Sequence, residues 1–131
     1  PAGVALSGVE PDELLWPASP SAKLFCQEAQ PGEDGADVLR RLGRKEGWFS
    51  VKMLHPGQPS QTLTKQDRGC GSFFHWNRRH LSIREALVLT GFPPTYILPG
   101  AFSDRWARIG NSVAPPMSRE IVRQVIGSIH V

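Results

Sequence analysis

The stretch from Arg79 to Pro116 constrains this chain more than any other. It opens Arg-His-Leu-Ser-Ile-Arg-Glu-Ala-Leu-Val-Leu-Thr-Gly-Phe-Pro-Pro-Thr-Tyr, passes through Ser103-Asp-Arg-Trp-Ala-Arg-Ile and ends on Gly110-Asn-Ser-Val-Ala-Pro-Pro. Ser82 followed three residues later by Glu85 is a capping box, so a helix is predicted over residues 83–90 with Ile83, Ala86, Leu87 and Thr90 on one face. Gly91 ends it, and Pro93 and Pro94 prevent its continuation. A cap contributes only about 1 kcal/mol, enough to fix where the helix begins but not to stabilise a fold. A second helix is predicted over residues 116–129. Pro115 and Pro116 are tolerated in a first turn, and Met117, Ile121, Val122, Val125, Ile126 and Ile129 then form an apolar stripe opposite Arg119, Glu120, Arg123 and Gln124. Fully buried, those six side chains stabilise by an upper figure of about 10 kcal/mol.

Upstream, 13 Gly and 12 Pro in 131 residues predict many turns and short elements. Residues 1–35 read as an acidic, loop-rich or mobile segment with at most a short helix near Asp12 to Trp16. Residues 37–42 suit a short helix. From Gly47 the period shifts towards strand: Trp48 to Leu54, then Gln61 to Thr64 after a turn at Pro56-Gly57, then Phe73-Phe74 after the Gly69-Cys-Gly-Ser loop. The fold class expected is α+β, small and loop-rich, with short antiparallel strands followed by the two helices and forming an incomplete part of a larger α/β protein. No apolar run approaches the roughly 18 residues of a membrane span, so no membrane partner is expected. Cys26 and Cys70 lack metal-ligand spacing, no metal site is expected, and a reducing cytoplasm fits best.

Charge is unevenly placed. Residues 1–37 carry a net −6, residues 38–64 and 65–84 carry +4 each, and the remainder +1. An acidic head on a basic body fits a nucleic-acid binder whose contact face excludes its N-terminus. Lys65, Arg68, Arg78 and Arg79, interleaved with Phe73, Phe74, His75 and Trp76, are the expected phosphate or base contacts. Arg84, inside the helix, is expected to be structural and paired with an acid.

The two halves of the Arg79–Pro116 stretch resemble the ninth and tenth blocks of the cytosine-C5 DNA methyltransferases. Arg79, Leu81, Ser82, Arg84, Glu85, Gly91, Phe92, Pro93 and Tyr96 fall on the ninth, and Gly110, Asn111, Ser112, Val113, Pro115 and Pro116 on the tenth. Val88 departs from the Arg that many members carry inside the ninth-block helix. Thr62-Leu63-Thr64 resembles the Thr-Leu pair of the family's target recognition domain, where the Thr lies against DNA; the alternative is two half-buried strand residues.

The resemblance implies three parts: residues 1–35 as described, 36–80 as part of the recognition domain, and 81–131 as the ninth and tenth blocks plus a helix that packs on the catalytic domain. Thr62, Thr64, Lys65, Arg68, Arg78 and Arg79 are then the DNA-binding candidates, on double-stranded DNA, while Asn111 and Ser112 are the candidates for the methionine end of S-adenosylmethionine. The family nucleophile, its proton-handling glutamate and the Gly-rich cofactor loop belong to an N-terminal catalytic part not present in these residues. No catalytic residue is therefore expected here. Phe25-Cys26-Gln27 looks like the nucleophile's Pro-Cys-Gln block but precedes the recognition segment with no cofactor loop before it, so Cys26 is read as an unreactive thiol. The expected role is a C-terminal segment that recognises DNA and completes the cofactor pocket with an N-terminal catalytic domain or subunit, in the cytoplasm, the bacterial nucleoid or the nucleus. The alternatives are a silent DNA-binding remnant and a protein-interaction module. With its stripe unmatched, the isolated chain is expected to self-associate through the last helix.

Overall fold

The computed structural model describes residues 1–44, 51–65 and 73–129. Trp48, Arg68 and Cys70, with the Gly69-Cys-Gly-Ser loop, lie outside the described residues. The described chain is α+β and loop-rich: α1 (Ala2–Ala5), α2 (Pro20–Glu28), α3 (Gly35–Arg41), β1 (Lys52–Met53), β2 (Phe73–His75), β3 (Arg79–His80), α4 (Ile83–Leu89), α5 (Phe102–Asn111) and α6 (Pro115–Ile129).

The sheet is small because its strands are short, and it is buried because both its faces are covered. β1 pairs with β2 in parallel, with Met53 opposite Phe74, and β2 pairs with β3 antiparallel, with His75 opposite Arg79. One of the two pairings thus departs from the expected antiparallel arrangement. Side chains alternate across a strand, so adjacent Phe73 and Phe74 point to opposite sides. Phe74 and Met53 join Phe25, Cys26, Ala29 and Val38 from α2 and α3. Phe73 and Leu54 join Leu63, Leu81, Ile83, Ala86, Leu87, Trp106 and Ile109 on the other face.

Local signals and burial agree at α2, α3 and α4, whereas α5 lacks a capping side chain and α6 lacks burial. Ser82 accepts from the Glu85 N–H while the Glu85 carboxylate accepts from the Ser82 N–H, the expected reciprocal cap, and the helix runs from Ile83 to Leu89. Asp34 and Asp37 make a second capping box at the start of α3. α6 occupies Pro115–Ile129, as the stripe predicts. The N-terminal 35 residues are more ordered than their composition suggests: α2 begins at Pro20 behind a Ser19 cap and buries Phe25 completely. No helix forms at Asp12 to Trp16, and Gln61 to Thr64 is irregular chain rather than strand. α5 has no side-chain cap at Ala101, yet Trp106 and Ile109 on one of its faces are buried.

Candidate functional site

α5 and the Thr62–Lys65 segment are fastened together. The Trp106 indole N–H donates to the Thr64 carbonyl at 3.0 Å. A Cβ at Gly110 would lie 2.5 Å from the Lys65 nitrogen and 2.6 Å from the Thr64 carbonyl carbon, so only glycine permits this approach. Leu63 is buried beneath the segment, while Thr62, Thr64 and Lys65 are exposed. The alternation that reads as a strand in sequence is therefore produced by docking on a helix, with no ladder.

Asn111 and Ser112 follow directly on Gly110, so the structure brings the cofactor candidates beside Thr64 and Lys65. Both are exposed, at the corner between α5 and α6. The Ser112 hydroxyl donates to the Ile109 carbonyl at 2.7 Å, closing the last turn of α5. The corner continues into α6 through Pro116, whose Cδ lies 2.7 Å from where a Cβ on Gly91 would be; Gly91 itself adopts φ +82°. Two polar side chains on an open corner suit the carboxylate end of a cofactor. The described residues do not enclose a whole one there.

The hairpin of β2 and β3 places the remaining candidates differently from expectation. Arg79 is buried, with its fork on Glu85: Nη2 donates to Oε1 at 2.6 Å, Nη1 to Oε2 at 2.8 Å, and Nη1 also to the His80 carbonyl at 3.0 Å. A guanidinium enclosed in this way is not presented to a phosphate, and the expectation that Arg79 binds DNA is corrected. Arg78 is exposed at φ +65°, closing a three-residue hairpin loop in which its N–H donates to the His75 carbonyl at 2.9 Å. Its Nη1 donates to the carbonyls of Cys26 and, at 2.7 Å, of Gln27, which ties the hairpin to the end of α2. Arg84 is exposed; its backbone N–H meets Asp12 Oδ1 at 3.1 Å, while its guanidinium donates to the Glu10 carbonyl at 3.4 Å. Of the two arginines, Arg79 is the one whose guanidinium is paired with an acid inside the protein.

Around Glu85 the electrostatics are those of a closed structural cluster. Burial pushes the Glu85 carboxyl up, but the Arg79 fork, the Ser82 N–H and the neighbouring positive charge outweigh it and hold the carboxyl below its ordinary value. His75, with Nε2 3.9 Å from Glu85 and Nδ1 accepting the Asn77 N–H at 3.0 Å, is pushed down to about 4 by burial and by Arg79. It is neutral at pH 7. Burial likewise pushes the Cys26 thiol up to about 12 against the pull of Arg78, which leaves it protonated and a poor nucleophile. Among the described residues no group of His, Cys, Asp or Glu is placed to hold a metal ion. No helix among them is long and apolar enough to cross a membrane.

Sequence reasoning missed a further cluster: Arg105 Nη2 meets Glu13 Oε1 at 2.9 Å and Nη1 meets Asp12 Oδ2 at 3.6 Å. The only sequence signal for it was the acidic bias of the N-terminal segment.

The family model described as C-5 cytosine-specific DNA methylase matches residues 27–127. The chain is 36% identical over 76 residues to DNA (cytosine-5)-methyltransferase 1 of Rattus norvegicus, covering 58% of this chain and 4% of that protein. It is 30% identical over 92 residues to Type II methyltransferase M.AgeI of Thalassovita gelatinovora, covering 69% and 21%. It is 46% identical over 43 residues to DNA (cytosine-5)-methyltransferase CMT2 of Oryza sativa subsp. japonica, covering 33% and 3%. The matched segment is thus a minor part of each relative. No solved structure matches the chain.

Proposed function

This chain belongs to the C-5 cytosine-specific DNA methylase family, and we propose that it is the C-terminal, DNA-recognising segment of a DNA (cytosine-5)-methyltransferase, acting only with an N-terminal catalytic part. The observation that carries this reading is α6. It has no buried residue, and Met117, Ile121, Val122, Val125, Ile126 and Ile129 are all at least half exposed. A soluble protein seldom leaves such a stripe uncovered, and the catalytic part is its proposed cover. Without that part, the isolated chain self-associates through the same face.

Base chemistry at C5 requires the cytosine to leave the stack, and this chain's proposed share is to hold the duplex while that happens. Exposed Thr62, Thr64 and Lys65, set at a fixed height by Leu63, Trp106 and Gly110, contact the DNA, with Arg78 and Arg68 as further phosphate contacts. Asn111 and Ser112 close the methionine end of the S-adenosylmethionine pocket. The cofactor supplies the methyl group, and the nucleophile comes from the catalytic part, in keeping with the buried, protonated state of Cys26.

The test is a tritiated-methyl assay on duplex DNA with this chain, an N-terminal chain carrying the Gly-rich loop and Pro-Cys-Gln block, and both together. Transfer is expected from the mixture alone. Activity of this chain by itself refutes the division of labour, and a mixture unaffected by Asn111→Ala with Ser112→Ala removes those residues from the pocket.

A further inference from the structure

An acidic stretch of the N-terminal segment lies across two arginines that no other group in the proposed mechanism uses. Glu13 Oε1 is 2.9 Å from Arg105 Nη2, Asp12 Oδ2 is 3.6 Å from Arg105 Nη1, Asp12 Oδ1 accepts the Arg84 N–H at 3.1 Å, and the Glu10 carbonyl accepts from the Arg84 guanidinium at 3.4 Å. Arg84 and Arg105 line one cleft of about 420 Å³ together with Thr95 and Tyr96. The Arg105 Nε is buried with no hydrogen-bond partner among the described residues, so the two carboxylates leave that guanidinium short of acceptors.

We propose that Arg84 and Arg105 form a binding site for a DNA phosphodiester, which the chain's own Glu10–Glu13 segment occupies when DNA is absent. A guanidinium fork takes carboxylate and phosphate oxygens in the same planar geometry, so the Asp12 and Glu13 carboxylates stand where phosphate oxygens bind. The exchange is feasible because ion pairs at partly exposed positions are weak. Arg105 is 21% exposed, Asp12 25% and Glu13 32%. Tyr96, 46% exposed, lines the same cleft. The site rests on the proposed DNA-binding role, but uses residues outside the Thr62–Lys65 edge.

The test is fluorescence anisotropy of a labelled duplex with the full chain across a salt series. Asp12→Asn with Glu13→Gln keeps an oxygen acceptor for the Arg84 N–H while removing both charges. This variant is expected to bind roughly tenfold tighter, with a log–log salt slope steeper by about 0.9 for the one added phosphate. Adding Arg84→Gln and Arg105→Gln should cancel the gain, whereas Asp104→Asn with Glu120→Gln, an equal charge change elsewhere, should give little of it. Glu13→Gln alone gives part of the gain and guards against loss of fold, which melting monitors. If the wild-type chain binds but the Asp12→Asn, Glu13→Gln variant binds no better, or no better than the charge control, this site is refuted and the DNA-binding role stands. If the gain survives loss of both arginines, the site is also refuted. Binding by neither chain, with or without the N-terminal catalytic chain, refutes both readings, and binding by the Asp12→Asn, Glu13→Gln variant alone supports the site.

Discussion

The two helices at the end of the chain share an amphipathic pattern and differ in what meets it. α5 buries Trp106 and Ile109 against Phe73, Leu63 and α4, and Gly110 in its last turn lets the Thr64–Lys65 backbone approach. α6 is longer, carries six apolar side chains on one side and buries none of them. A hydrophobic stripe encodes a contact without saying with whom. α5 finds its partner inside the chain, whereas the stripe of α6 stays exposed.

The contrast between buried and uncovered helices is tested most severely by one residue type, taken in α4, which packs on α5, and in α6. Glu85→Ala strands Arg79 as a buried, unpaired cation and should cost about 3–5 kcal/mol in urea or thermal unfolding, while Glu120→Ala on α6 should stay within about 0.5 kcal/mol. Equal effects would erase the distinction.

Acid acts on the same cluster. The unfolded chain protonates His75 near its ordinary 6.5, whereas the folded chain resists until about 4. Stability should therefore be full above pH 6.5 and fall progressively between pH 6.5 and 4, by an order of 3 kcal/mol. Glu85 adds to the loss further down. Its folded value lies below its unfolded one, so its contribution is present above the unfolded value and disappears as pH falls through the folded one. Replacing His75 with Phe should flatten the upper part of this profile.

Next in size is Gly110→Ala, whose methyl would press on main chain at Lys65 and should cost about 1–3 kcal/mol. It should also loosen Thr62–Lys65, visible as faster amide exchange there. Smallest for the fold are Ile121→Lys and Val125→Lys, expected within about 0.5 kcal/mol. In light scattering the wild-type chain should exceed monomer mass at micromolar concentration and the double variant should not.

Where structure follows local rules, sequence predicts it. The Ser82–Glu85 box starts α4 at Ile83, and the stripe from Met117 to Ile129 locates α6 almost to the residue. α2 is hidden in a Pro- and Ser-rich stretch even though Ser19-Pro20 is itself a start signal, and α5 lacks a capping side chain altogether. Composition obscured the first, and only the spacing of Phe102, Trp106 and Ile109 marks the second. The roles of Arg79 and Arg84 depend on tertiary geometry: the β2–β3 hairpin turns Arg79 inward onto Glu85, and the N-terminal segment crosses Arg84 from more than 70 residues away. Thr62, Thr64 and Lys65 are exposed, and the helix that supports them comes from 42 residues downstream.

The most direct test of α6 as half of an interface is its amide hydrogen exchange, measured at a concentration where the chain is monomeric, before and after adding the N-terminal catalytic chain. Alone, residues 115–129 should exchange much faster than α4 and α5; with the catalytic chain they should slow to a comparable rate while α4 changes little. Protection of α6 already equal to that of α4 in the lone monomer, or unchanged by the catalytic chain, would contradict the account.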